Sequence, residues 1–240
     1  MNLILFDAEE TDKPIPLQDE RAQHILNLLK LKPGDRLRVG LLNGPKGCAF
    51  FRRAGSDGLI LDFTWEEQVE PPPDPLTLII GLSRPHTNQK ILQQAAAIGV
   101  RRMLFVRTEL GEGSYAASKL WVSGEYKRHL ILGAQQARST HIPVVEFGTP
   151  LWIAMHLVED ISQKIVLHHD EGAPRLTRIN ILKDESIVLA IGAERGWTEN
   201  EMAMFRRNGF SPAMIGDRVL RTETAVVAAL TLVKAAIGAW

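Results

Sequence analysis

The chain has 240 residues, 45% hydrophobic and 23% charged, with 28 basic and 28 acidic side chains. That is enough apolar material for one large domain and a smaller companion, and the balanced charge leaves partners to be judged from where the charges fall. Its one cysteine, Cys48, excludes an internal disulfide and fits a reducing cytoplasm; residues 1–6 lack a signal-peptide core, and the apolar stretch 225–240, broken by Thr231 and Lys234, is shorter than the ~20 residues of a membrane span.

Residues 1–75 carry 9 basic and 13 acidic groups, and residues 76–240 carry 19 and 15. Within the acidic part, the span 21–53 carries eight basic residues (Arg21, Lys30, Lys32, Arg36, Arg38, Lys46, Arg52, Arg53) against one acid, Asp35. A solvated face and a phosphate-facing patch account for that run equally well.

In chain order, residues 2–6 read as a strand. Residues 24–30 form a short helical pattern with Ile25, Leu28 and Leu29 on one face. Lys32-Pro33-Gly34-Asp35 is a turn by its chemistry. Residues 36–42 alternate as a strand does, Asn43-Gly44 and Pro45-Lys46-Gly47 make a hairpin turn, and 48–53 and 58–64 are further strands. Short strands joined by tight turns suggest a small barrel. The linker is Pro71-Pro72-Pro73-Asp74-Pro75, which divides the chain into domains at 1–72 and 73–240.

The second part alternates: strand 76–81, helix 88–98 ended by Gly99, strand 103–106, one long helix 119–137, strand 144–147, helix 151–158 opened by Pro150, strand 164–168 and strand 187–191. This is an α/β pattern, a mostly parallel sheet covered on both faces. A helix then opens at Thr198 with Glu201 three residues on, a capping box, and Gly209 stops it. The final helix, 222–237, is apolar on nearly every side. Burial within the domain is one explanation, and contact with a second copy of the chain is the preferred one.

Two loops carry the chemistry. Gly192-Ala193-Glu194-Arg195-Gly196-Trp197 follows a strand and opens a helix, without the Gly-Lys-Ser/Thr of a phosphate loop. Asp217–Arg221 sets Arg218 and Arg221 before an apolar helix. Charges so placed need either salt bridges or a ligand. Ligands of open α/β sheets bind outside the carboxyl ends of strands. No Cys/His spacing supports zinc.

Ile191-Gly192-Ala193-Glu194-Arg195-Gly196 resembles an "IGPEGG" motif, and Gly216-Asp217-Arg218-Val219-Leu220-Arg221-Thr222-Glu223-Thr224-Ala225 resembles "LGxRILRTETA". Together they are similar to the small-subunit ribosomal RNA uridine N3-methyltransferases of the SPOUT superfamily. His24-Ile25 with Leu31-Lys32-Pro33-Gly34-Asp35 resembles that family's N-terminal RNA-binding barrel, and Gln135-Gln136 with Ile142-Pro143 also follows its pattern.

The resemblance implies an α/β SPOUT methyltransferase domain with a C-terminal trefoil knot, a small N-terminal PUA-like β-barrel, S-adenosylmethionine as cofactor, and a homodimer. It implies 16S rRNA or the small ribosomal subunit as substrate, in the cytoplasm, without membrane or metal. Carried over by position, the cofactor-binding residues are Ile191, Gly192, Glu194, Gly196, Ile215, Gly216 and Leu220, closed by Leu167 and His168. Arg21, Lys30, Lys32, Arg36, Arg84 and Arg138 are the expected RNA contacts, with Arg84 and His86 in a loop at 83–88.

Methyl transfer to uracil N3 requires loss of the N3 proton, and a cation near the ring oxygens stabilises the resulting charge. Arg221 is the first candidate and Arg218 the second, with Glu223 orienting Arg221. Pairing of each arginine with Glu223 or Glu194 is the competing explanation. Ala193 replaces the family's proline, Arg195 one of its glycines, and its "EQxxR" reads Gln135-Gln136-Ala137-Arg138-Ser139. A non-catalytic RNA-binding or ribosome-assembly protein is therefore the alternative function.

Overall fold

The computed structural model describes residues 3–170, 172–183 and 185–240. Two compact units emerge, Met1–Pro72 with Ala134–Ile142, and Pro73–Gly133 with Pro143–Trp240.

In the first unit, β1 (Ile4–Phe6), β2 (Arg36–Leu41), β3 (Lys46–Gly55) and β4 (Gly58–Trp65) form a curled four-stranded sheet in that order. β1 pairs parallel with β2, and the other pairs are antiparallel. Asn2, the first residue of the expected opening strand, lies outside the described residues. Alternation turns Leu37, Val39, Ala49, Phe51 and Leu61 inward, where they meet Phe6, Ile25 and Leu59. The Asn43 turn forms with φ +55. Lys46 and Gly47 belong to β3 rather than to the turn, paired with Gly40 and Val39 of β2, and the close approach of β4 needs glycine at 47, where a Cβ would lie 2.2 Å from the Thr64 carbonyl oxygen.

The helical stretch starts earlier than its periodicity suggests. It runs as α1 (Glu20–Gln23), capped by Asp19, into a single π turn at His24–Leu28. The wider π spacing rotates Leu28 off the face of Ile25, so Ile25 is buried and Leu28 is 69% exposed. Arg21 also departs from expectation. All five of its N–H donors are spent on Asp19, Glu10 and the Leu5 carbonyl, with the guanidinium over the Phe6 ring. It is an internal tie, not a phosphate contact.

In the second unit, six strands pair entirely in parallel. They are β5 (Leu76–Gly81), β6 (Arg102–Arg107), β7 (Val144–Pro150), β8 (Gln163–Leu167), β9 (Ile187–Ile191) and β10 (Ser211–Ala213), in spatial order β10-β8-β9-β5-β6-β7. The chain moves outward from β5 to β7, crosses to β8, and then inserts β9 between β8 and β5. Every residue of β5 and β9 is buried, as a sheet covered on both faces requires. α5 (Leu151–Leu157) and α6 (Glu199–Arg207) cover one face through Met155, Met202 and Phe205.

α2 (Pro85–Ile98) begins three residues before the expected start, with Pro85 in its first turn. The expected long helix 119–137 is two helices. α3 (Lys119–Val122) and α4 (Glu125–Ala137) meet at Gly124, whose φ of +77 no α-helix accepts. The break lets Trp121 stack on Phe147 beside Phe105 and Tyr126. α7 (Thr222–Ala236) packs on α2 and buries Val226, Ala229, Leu230 and Val233. Its Lys234 pairs with Asp74. Among the described residues no helix is long and apolar enough to cross a membrane.

The Arg21 tie yields a stability prediction. Hydrogen bonding to Arg21 holds the Glu10 and Asp19 carboxyls below their ordinary values. A depressed folded-state value stabilises above the ordinary carboxylate range and loses that contribution as pH falls through it. Arg21→Ala is expected to cost about 1–3 kcal/mol at neutral pH, and the gap from the parent should narrow in acid. Urea unfolding at several pH values checks this; an equal gap at all pH values contradicts it.

Candidate active site

The strand ends are level. Ile80 pairs with Ile191, Ile191 with Leu167, and Leu167 with Ala213. Four neighbouring strands therefore release their loops at one height, and these loops enclose a cavity of about 770 Å³. Leu167, His168 and His169 enter it from β8, residues 191–194 and Gly196 from β9, and residues 213–216, 218–223 and Ala225 from β10 and α7; Arg84, His86, Thr87 and Lys90 come from β5 and α2.

Each loop is held by identifiable bonds. After β5, the buried Asn88 side chain donates to the Ser83 carbonyl at 2.8 Å, folding 83–88 back on itself. This turns His86 into the first turn of α2 and leaves Arg84 just before it. After β9, Gly196 donates to the Ala193 carbonyl at 2.9 Å and takes φ +70. A Cβ on Gly192 would lie 2.8 Å from the Gly196 Cα, so this turn closes only on glycine. Thr198 and Glu201 then form the anticipated capping box. Buried Glu201 also accepts the Glu109 N–H at 2.9 Å, tying α6 to the end of β6. Gly81 lets this loop cross β5, because a Cβ there would lie 2.5 Å from the Ala193 nitrogen.

After β10, Leu176 donates to the Met214 carbonyl and Met214 to the Pro174 carbonyl. Arg175 grips both oxygens of Asp217 at 2.8 and 3.0 Å.

The cavity brings together Leu167, His168, Ile191, Gly192, Glu194, Gly196, Ile215, Gly216, Leu220, Arg218, Arg221 and Glu223, and it includes Arg84. Lys30, Lys32, Arg36 and Arg138 are exposed on the first unit, outside that lining. Arg36 donates to the Cys48 sulfur at 2.8 Å.

The carboxylates of the rim are already engaged. Glu194 accepts the Arg84 backbone N–H at 3.2 Å, and Glu223 pairs with Lys90 at 3.3 Å. Glu223 is held below its ordinary value chiefly by its own backbone N–H, against burial, with Lys90 and Arg221 adding to the effect. Arg218 and Arg221 make no side-chain hydrogen bond or ion pair among the described residues. This answers the salt-bridge explanation and corrects one assignment: Glu223 is tied to Lys90, not hydrogen-bonded to Arg221. Two guanidiniums without a side-chain partner among the described residues, at the mouth of a largely apolar cavity, are chemically suited to an anion or a developing negative charge.

An RNA methyltransferase domain matches residues 70–234. The ribosomal RNA small subunit methyltransferase E of Treponema pallidum is 34% identical, covering 100% of this chain and 93% of that one.

The chain belongs to the ribosomal RNA small subunit methyltransferase E family.

As a member it is an rRNA methyltransferase. A second relative, methyltransferase E 1 of Borreliella burgdorferi, is 31% identical over 95% of both chains. The fold matches a methyltransferase E of Neisseria gonorrhoeae crystallised with S-adenosyl methionine. The TM-score is 0.77 at 20% identity, over 98% of this chain and 97% of that one.

The sequence reading missed Lys90 and Arg175. Lys90 had a signal: it is the one charged residue in α2. Arg175 had none, since its partner lies 42 positions away.

The close approach at Gly81 makes a prediction. Gly81→Ala forces the Ala193 backbone to move and is expected to cost about 1–3 kcal/mol. Gly113→Ala, with nothing within 4 Å of the added carbon, should leave the urea midpoint unchanged. Equal midpoints for the two variants would show that the crossing at Gly81 is not tight.

Proposed function

We propose that this family member methylates N3 of a uridine in 16S rRNA, with S-adenosylmethionine as methyl donor, in the cytoplasm. The observation that carries the reading is the cavity itself: glycine-lined, walled by apolar side chains, and bordered by two arginines that have no side-chain partner among the described residues. The lining fits the donor. A Cβ on Gly196 would meet nothing within 4 Å, and on Gly216 only the Arg175 side chain at 3.9 Å, so both backbones face open space. With the Gly196 amide already given to Ala193, the open backbone at Gly216 and the Gly196 carbonyl can meet a polar nucleoside edge, while Leu167, Ile191, Ile215 and Leu220 offer apolar walls. A volume near 770 Å³ suits a ligand of that size. When bound, S-adenosylmethionine supplies an electrophilic methyl group.

The chain's own residues supply the rest. The two loops align the reactants, which can account for much of a displacement rate. Arg221, and secondarily Arg218, stabilises the charge that spreads onto the uracil oxygens once N3 is deprotonated. Water serves as proton acceptor in this scheme.

The same reading brings a threaded C-terminal tail, a trefoil knot, consistent with β9 inserted between β8 and β5. It makes residues 1–72 a PUA-like RNA-binding barrel that uses Lys30, Lys32 and Arg36, with Arg138, and it makes residues 73–240 the SPOUT domain. A homodimer would use the half-buried small side chains of α7, Ala225, Val227 and Ala228 among them. The non-catalytic alternative rests on Arg195 and Ser139, and Ala193 is a further departure in the Arg195 loop. Neither Ala193 nor Arg195 has a left-handed backbone, so the glycine turn tolerates both.

Calorimetry of the purified protein should give micromolar binding of S-adenosylmethionine. Small subunits from a strain lacking the modification should gain N3-methyluridine by mass spectrometry. Arg221→Ala should lower kcat by about 10²–10³-fold with donor affinity kept. No heat of binding, or methylation at another atom, sinks the proposal.

A further inference from the structure

Glu223 stands two residues after Arg221, in the first turn of the same helix, and its side chain is only 15% exposed. It feels the Arg221 charge, yet makes no hydrogen bond to it. The oxygen Oε1 is held instead by Lys90, across the α2–α7 contact, at 3.3 Å. Glu194 and Glu223 share one cavity lining with Arg84, Arg218 and Arg221, and opposite charges brought together pair unless something else satisfies them. Glu194 is satisfied by the Arg84 N–H, which belongs to the backbone and is always present. Glu223 has its own backbone N–H, and its one side-chain partner among the described residues is Lys90.

We infer that Lys90 is a positioning residue: by occupying Glu223 it keeps Arg221 unpaired and available to the substrate. This rests on the proposed methyl transfer for its kinetic consequence, but its structural core stands independently. Remove the ammonium and the cation whose charge still acts on Glu223 is Arg221, two residues before it in the chain. The guanidinium would turn inward to a charge-assisted pair, and the cavity mouth would lose its donor. Lys90 need not touch substrate or cofactor for this.

The experiment uses the full chain in five forms: the parent, Lys90→Ala, Lys90→Arg, Glu223→Gln, and Lys90→Ala with Glu223→Gln. Steady-state methylation of small subunits should show Lys90→Ala lowering kcat about 10-fold with donor affinity unchanged by calorimetry. Lys90→Arg should restore most of the rate. On the Glu223→Gln background, Lys90→Ala should have no further effect, because a neutral amide no longer captures Arg221. A loss of equal size on both backgrounds overturns the inference, since it would mean that Lys90 acts on the substrate or only on stability.

A crystal structure of Lys90→Ala decides the matter even if the parent proves inactive on this substrate. Arg221 within about 4 Å of the Glu223 carboxylate supports the inference, and Arg221 still unpaired overturns it. Parent inactivity would count against the proposed reaction alone.

Discussion

The whole site depends on strand register. In a parallel sheet the loops that leave the carboxyl ends can meet only if the strands end level. Here Ile80, Ile191, Leu167 and Ala213 form one hydrogen-bonded row. A shift of one residue in β9 would carry Gly192 away from Gly81 and turn the buried side chains of that strand to the wrong faces. Those side chains are fully enclosed, so apolar burial in the middle of the sheet is what holds the loops in place at its end. Core and site are one piece of physics, although the site itself is polar at its mouth.

Electrostatics then completes what register begins. Three acidic groups near the mouth have partners other than the two arginines: Asp217 has Arg175, Glu194 has the Arg84 amide, and Glu223 has Lys90. Asp217 is 78% exposed, so its ion pair adds little stability; what it does is occupy a carboxylate. The result is a local excess of positive charge in a chain with no net charge, created by pairing rather than by composition. That arrangement suits a substrate that arrives as a polyanion and becomes more negative as it reacts.

Much of this was legible in the sequence, for definable reasons. The alternation of apolar runs with helical periods gave the parallel sheet, because a strand buried on both faces leaves an unbroken apolar run such as 187–191. Thr198 and Glu201 gave the helix start through local hydrogen bonds. The cofactor positions came from a resemblance, and the register places them around one cavity. What was hidden was non-local or sterically subtle. The break at Gly124 depends on Trp121 reaching Phe147. The π turn that exposes Leu28 leaves no trace in periodicity. Arg21 read as one cation of a basic run, whereas its meaning lies in Glu10 and Asp19. The pairing of Glu223 with Lys90 spans 133 positions, and only folding reveals it. The inclusion of Ala134–Ile142 in the first unit rests on similar ties, such as Thr140 to Gly44 and Ile142 to Asn43.

The family assignment and the geometry reinforce each other at different levels. Similarity over the full chain establishes the kind of catalyst, and the cavity supplies a physical reason for it: glycine backbones that approach a ligand, apolar walls, and unpaired guanidiniums. The most direct measurement of that account is a crystal structure of the protein grown with S-adenosylhomocysteine, the product left after methyl transfer. The account predicts its adenosyl group between the Gly192–Gly196 turn and residues 215–220, with Arg221 unpaired beside it. Density for the nucleoside anywhere else on the chain, or Arg221 locked onto Glu223 in the loaded protein, would contradict it.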